Sequence, residues 1–229
     1  MCEHGEEPES FAGLVHALRF CGLLNESVYA HERATALDPT IVTSVPHTHF
    51  LRCEYEATLD SYCGTRYYLD AAAWAALGDA ARASTLLQER LAGSLSPQMS
   101  GLMGSLAAVL DGRRDAAMAM MMNLEVAREP EVVFYLSRHF ALLNAADESV
   151  RLLQRARREG FTCSYALAHD RAFTSVRGHQ GFQRELRESE AAEQETRRAL
   201  ERAGANHVLG RSLSPQTSRV AASAKSPRA

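Results

Sequence analysis

The chain has 229 residues, with 25 Lys and Arg against 28 Asp and Glu and a formal net charge of −3. That length suffices for one or two domains with a sizeable core, and the near-balance of charge excludes an overall nucleic-acid or anionic-membrane footprint. An apolar fraction of 46%, dominated by Ala and Leu with little Val or Ile, excludes a disordered chain and argues for packed helices rather than strands.

Residues 1–9 are acidic (Glu3, Glu6, Glu7, Glu9) and are expected to be a disordered leader; without a basic or apolar start they do not read as a signal peptide. Ser10 is a plausible N-cap for a helix whose stripe is Phe11, Leu14, Val15 and Leu18, closed by Gly22. A second helix is expected over 26–37, stopped by Asp38-Pro39 because proline removes a donor and disfavours helix in the residue before it. The next pair, 41–51 and 54–63, turns near Arg52-Cys53, with Ala57 five residues after Arg52. Helices follow over 66–77 and 79–92 around Gly78, over 98–111 and 114–128 around Gly112, and over 131–143 and 146–159 around Asn144. A further helix is expected over 161–168, a turn-rich link over 170–181, and a charged helix over 182–203. In the last of these, Phe182, Leu186 and Leu200 are the apolar anchors and Glu193 and Arg197 form a favourable i,i+4 pair. Residues 205–229 are rich in Ser, Ala and Pro and read as a disordered tail. The domain organisation is therefore a leader (1–9), a helical repeat domain (10–178), a capping helix (179–204) and a tail (205–229).

Four of these turns share one spelling. Gly22, Gly78, Gly112 and Asn144 each close an apolar stretch, and five residues later come Ser27, Ala83, Ala117 and Ser149. Twelve residues after the turns stand Ala34, Arg90, Leu124 and Ala156, a less uniform set. A small residue at a fixed place lets two antiparallel helices approach closely, and periodicity of this kind signals stacked helical hairpins.

In the first hairpin Phe11, Leu14, Leu18, Gly22, Ser27, Ala34 and Pro39, and in the third Tyr67, Ala71, Trp74, Gly78 and Ala83, resemble the tetratricopeptide repeat. The fifth keeps Leu136, Phe140, Ser149 and Ala156, and the second is degenerate. The strings AHERATALDPTIVTSVPHTHF, EPEVVFYLSRHFALL and GFTCSYALAHDRAFTSVRGHQGFQREL further resemble the repeat-bearing C-terminal halves of bacterial multidomain signalling proteins, over about residues 10–190. The family's closing motif reads here Asp170-Arg171, Val176-Arg177 and Gly181-Phe182, and both of its prolines are lost. The resemblance implies an all-α, right-handed superhelical array of about five hairpins with a C-terminal capping helix. Its groove would be lined by Leu14, Leu18, Tyr67, Ala71, Trp74, Leu136 and Phe140. It implies a cytoplasmic, non-enzymatic scaffold for a protein or peptide partner, with no nucleic acid, membrane or cofactor involved. An alternative is the regulatory half of a kinase, cyclase or transcriptional regulator, acting in trans.

Other residue groupings carry weaker chemistry. The five cysteines (Cys2, Cys21, Cys53, Cys63, Cys163) form no C-x-x-C pair, so neither a disulfide framework nor a zinc module is expected, and reduced cytosolic thiols fit. His47, His49 and Cys53 are the densest metal-like group, yet no second ligand pair follows at a zinc spacing. Cys163, His169 and Asp170 would suit a thiol hydrolase only if folding aligned them. The bland reading of each is packing or capping. Met118, Met121 and Met122 could share a buried face of one helix with Met120 toward an edge. Arg151 and Arg155 share a face, with Arg157 and Arg158 beside them, and read as a solvated strip. Trp74 is expected in the core.

Overall fold

A computed structural model describes residues 7–62, 68–124, 129–205 and 209. The chain is all-helical there, with no strand among the described residues. The helices come in packed neighbouring pairs: α1 (Pro8–Phe20) with α2 (Leu24–Leu37), α3 (Val45–Leu51) with α4 (Tyr55–Asp60), α5 (Leu69–Ala76) with α6 (Ala80–Leu91), α7 (Pro97–Leu110) with α8 (Arg114–Asn123), and α9 (Pro130–Leu142) with α10 (Ala146–Arg158). The short α11 (Ser164–His169), a 3-10 turn (Arg171–Phe173) and the long α12 (Gln180–Arg202) follow.

Every hairpin turns in the same way. The residue after the C-cap takes the left-handed conformation, at φ +70° for Gly22, +58° for Cys53, +94° for Gly78, +70° for Gly112 and +54° for Asn144. At each, the next amide reaches back five residues, as in Leu23 N–H to Leu18 O and Ala145 N–H to Phe140 O, both 2.9 Å. This is the Schellman arrangement that satisfies the orphan carbonyls at a helix end. The second hairpin thus keeps the turn, but its pivot is Cys53 rather than Arg52. The small-residue position shifts with it, so Thr58 is fully buried and Ala57 only half-buried. The other four such residues, Ser27, Ala83, Ala117 and Ser149, are completely buried. Ser27 shows how close the approach is, its hydroxyl donating to the Val15 carbonyl across the hairpin at 2.7 Å. Arg90, the residue that departs from the small-side-chain pattern, forms a two-armed bond with buried Asp70 on α5, both arms 2.5 Å.

Several boundaries differ from the sequence expectation. The first helix starts at Pro8, not after Ser10, because proline suits a first helical position where no N–H is needed. Helices α3, α4 and α5 are shorter than expected within the described residues, and the calls on 63–67 and 125–128, Tyr67 included, lie outside those residues. Trp74 is half-buried rather than core, with the Arg82 guanidinium stacked 3.6 Å above its ring. Leu209 is buried with Val15, Leu18 and Leu23 of the first hairpin.

Helix α9 is the interior element. Every residue from Val133 to Ala141 is buried. It meets the first helix of each preceding hairpin: α1 through Arg19, α3 through His47 and Phe50, α5 through Tyr68, and α7 through Ser105. The place where the resemblance puts an open groove is therefore occupied by the chain itself. Leu136 and Phe140 are fully buried, as is Ala71, while Leu18 is 5% exposed. Leu14 and Trp74 keep partial exposure.

Candidate functional site

Two rows of polar partners hold α9. At its start the Glu129 carboxylate caps the helix, accepting from the Val132 amide at 2.8 Å. Glu131 then accepts from Arg19 Nη2 at 3.0 Å, from Tyr135 Oη at 2.8 Å and from His47 Nδ1 at 3.2 Å. Burial alone would raise the Glu131 carboxyl, but Arg19 and His47 outweigh it and hold the group well below the usual carboxylate range.

Two turns later comes a neutral relay. The Ser105 hydroxyl has one proton and gives it to the Leu102 carbonyl at 2.9 Å, so toward His139 Nδ1, also at 2.9 Å, it can only accept. His139 therefore carries its proton on Nδ1, and its bare Nε2 accepts from Tyr68 Oη at 2.7 Å. Burial, assisted by Arg138, depresses His139 to about 3, so the ring is neutral at ordinary pH. Burial pushes the Tyr68 phenol up to about 12.

The neighbouring Arg138 and Asp170 form a buried ion pair, with Nε to Oδ2 at 2.5 Å. Asp170 also accepts from the Ala172 amide at 2.9 Å and from Tyr55 Oη at 3.3 Å. Burial disfavours charge on Arg138, but Asp170 more than offsets this and keeps the guanidinium firmly protonated. The guanidinium also lies over the Phe50 ring at 4.6 Å.

This pair contributes to the lining of a candidate site. Helices α5 and α7 leave a cleft of about 230 Å³ between them, walled by Ala72, Ala75 and Ala76 on one side and Leu106 and Leu110 on the other. Leu142, Arg171 and Ala172 complete the lining. The alanines are the physical cause of the cleft, since a wall of single methyl groups leaves a gap that larger side chains would fill. A second hollow of about 280 Å³ adjoins it through Ala76 and Arg171 and is bordered by Leu77, Tyr55 and His169. Leu77 and Leu142 are among the few large apolar side chains left exposed, at 38% and 45%. A larger hollow of about 800 Å³ lies between the start of α7 and the end of α8, around Gly101, Gly104, Met120 and Leu124. Its described lining has no ionisable side chain to orient a ligand.

The groupings singled out in the sequence are mostly dispersed. His49 Nδ1 bonds Glu54 at 2.8 Å while His47 faces Glu131, and no group of three ligand-type side chains able to hold a metal occurs among the described residues. Burial raises the Cys53 thiol to about 12. Cys163 and His169 stand at opposite ends of α11; the thiol is buried and pushed well above its ordinary range, and the exposed imidazole stacks on Tyr165 at 4.3 Å. Asp170 is committed to Arg138. Met121 is buried and Met118 half-buried, but Met122 is 52% exposed and does not join the buried face expected for it. Arg157 leaves the basic strip to bond Glu185 on α12 at 2.6 Å.

Sequence reasoning missed Arg138, Leu142 and the alanine wall as site residues. The spacing of Ala72, Ala75 and Ala76 was the available signal, since i, i+3 and i+4 share a helix face. No protein-family model matches the chain, and neither a curated protein nor a solved structure does. No helix among the described residues is long and apolar enough to cross a membrane.

Proposed function

We propose that this protein is a non-enzymatic interaction scaffold that seats an apolar side chain of a protein or peptide partner in the cleft between α5 and α7. The carrying observation is the pairing of an alanine- and leucine-walled hollow, lined by exposed Leu142, with an adjoining hollow bordered by exposed Leu77. Its volume, about 230 Å³, falls below the roughly 300–1,000 Å³ usual for small-molecule and cofactor pockets and suits one or two side chains. A pocket that buries one anchor residue, ringed by contacts that exclude water, is how interaction surfaces concentrate affinity. Exposed Arg171 in the lining favours an acidic residue next to that anchor.

Selection of a random peptide library on the purified protein tests this reading. Enriched peptides should carry an apolar residue beside an acidic one. They should bind Ala76→Trp and Leu142→Asp variants at least about tenfold more weakly, a loss of ~1.4 kcal/mol. If both folded variants bind the selected peptides as the parent does, the cleft is not the binding site.

A further inference from the structure

Helix α12 buries few apolar side chains, and polar contacts tie it to three other segments. Phe182 is buried near its start, against Phe173. Glu185 then binds Arg157 of α10, Glu193 reaches the start of α11, and Arg197 bonds Glu26 of α2. Past the helix, Leu209 enters the small core of the first hairpin. The helix thereby spans the seam where the two ends of the fold meet, at which the Thr162 amide donates to the Phe20 carbonyl at 2.9 Å.

Glu193 sits at the middle of this seam and is 8% exposed. One carboxyl oxygen accepts from the Ser164 amide at 2.6 Å and the other bonds the Ser164 hydroxyl at 2.5 Å. The same carboxyl lies directly over Gly22, where any Cβ would overlap it. The charged and titratable groups around it are Cys21 at the end of α1, Glu26 on α2, Cys163 at the start of α11, and Glu190 and Arg197 on α12. Burial raises both thiols, so neither adds charge. Among the described residues Arg197 is the one cation that acts on Glu193, and it is hydrogen-bonded to Glu26, which is 1% exposed. The guanidinium thus bonds one buried carboxylate, Glu26, and acts on the second, Glu193, only through space. The surplus negative charge is removed most directly by a proton.

We propose that α12 is a strap, fastened across the α1–α2 turn and the start of α11 by a proton on Glu193. Burial raises this carboxyl to about 7, against the lowering effects of Ser164 and Arg197. In an undocked strap the same group would titrate near ~4.3. A carboxyl raised in the docked state stabilises docking fully below its undocked value, and that stabilisation is lost as pH rises through about 7. The docking constant should therefore fall roughly tenfold between pH 6 and pH 8.

Hydrogen exchange of the α12 amides in the full-length chain, corrected for intrinsic rates, reads this out. Protection should fall roughly tenfold from pH 6 to pH 8 in the parent and stay level in Glu193→Gln, which resembles the protonated acid. A level profile in the parent, or an unchanged slope in the variant, overturns the proposal. Carboxyl-carbon NMR of the parent decides independently of whether the variant folds. A Glu193 midpoint near pH 7 supports the strap, and one in the ordinary glutamate range overturns it.

Discussion

Helices α9 and α12 both bury ionisable side chains, and they do so under different constraints. In α9 the apolar sequence makes the helix interior, so each polar group had to find a partner inside the protein. Glu131 meets Arg19 and His47, Arg138 meets Asp170, and His139 meets Ser105 and Tyr68. In α12 the sequence is mostly charged and only one edge is covered, so charges are matched where a neighbour happens to stand. Arg157 serves Glu185, whereas Glu26 and Glu193 are left with Arg197. Completely matched charge makes a rigid interior; incompletely matched charge leaves an element whose hold depends on protons.

The largest way to break this contrast is to unmatch a charge in the interior. Asp170→Ala should destabilise the fold by about 3–5 kcal/mol in denaturant titrations, because it strands a buried guanidinium. Replacing Arg138 and Asp170 together with Met and Asn should cost clearly less, since no charge is then left unpaired. Equal losses in the single and double variants would show that Arg138 reaches water and that the interior is less closed than α9 implies.

The pH dependence of stability separates the two helices by sign. His139 is depressed to about 3 when folded, so its contribution is present above the unfolded value near ~6.5 and is lost as pH falls toward 3. His16 and His31, also lowered chiefly by burial, act in the same direction. Glu193 runs the other way, its contribution fading as pH rises toward about 7. Between pH 4.5 and 6.5 the two limbs oppose each other, each with a limiting slope of ~1.4 kcal/mol per pH unit. Relative to the parent, His139→Gln should lose the acid-side slope and Glu193→Gln the opposing one, measured as unfolding free energy against pH. If both difference curves have the same sign, the assignment of one of the two groups is wrong.

Much of the pairing of helices was legible in the residues, and the role of α9 was not. The turn glycines and the small residue five places on are local features, fixed by backbone conformation and close approach. They mark four hairpins correctly. The second was placed with its pivot one residue early, because Cys53 takes the left-handed turn without glycine or asparagine to announce it, which moved the small-residue reading from Thr58 to Ala57. The interior placement of α9 depends on partners far away in sequence: Arg19 lies 112 residues from Glu131, and Tyr68 lies 71 from His139. No local period encodes such pairings. The sequence therefore gives no sign that Glu131, Arg138 and His139 are buried and paired. The cleft was half-legible. Its alanine wall lies in one helix, but its lining also takes in an arginine and an aspartate 32 residues apart.

The smallest predicted effect measures how closely α12 sits on the first hairpin. Gly22 and Gly78 perform the same turn, at φ +70° and +94°, but Gly78 has open space around it whereas Gly22 lies under the Glu193 carboxyl. Gly78→Ala should cost about 1 kcal/mol, the price of a Cβ in the left-handed region. Gly22→Ala carries that strain and must also displace Glu193, so it should cost about 1 kcal/mol more than Gly78→Ala. The excess belongs to the contact with α12 and not to the turn. In a Glu193→Ala background it should vanish, leaving Gly22→Ala and Gly78→Ala equal within the ~0.5 kcal/mol expected of independent sites. An excess that survives removal of the carboxyl would place its origin inside the first hairpin, and α12 would then rest on that turn without pressing into it.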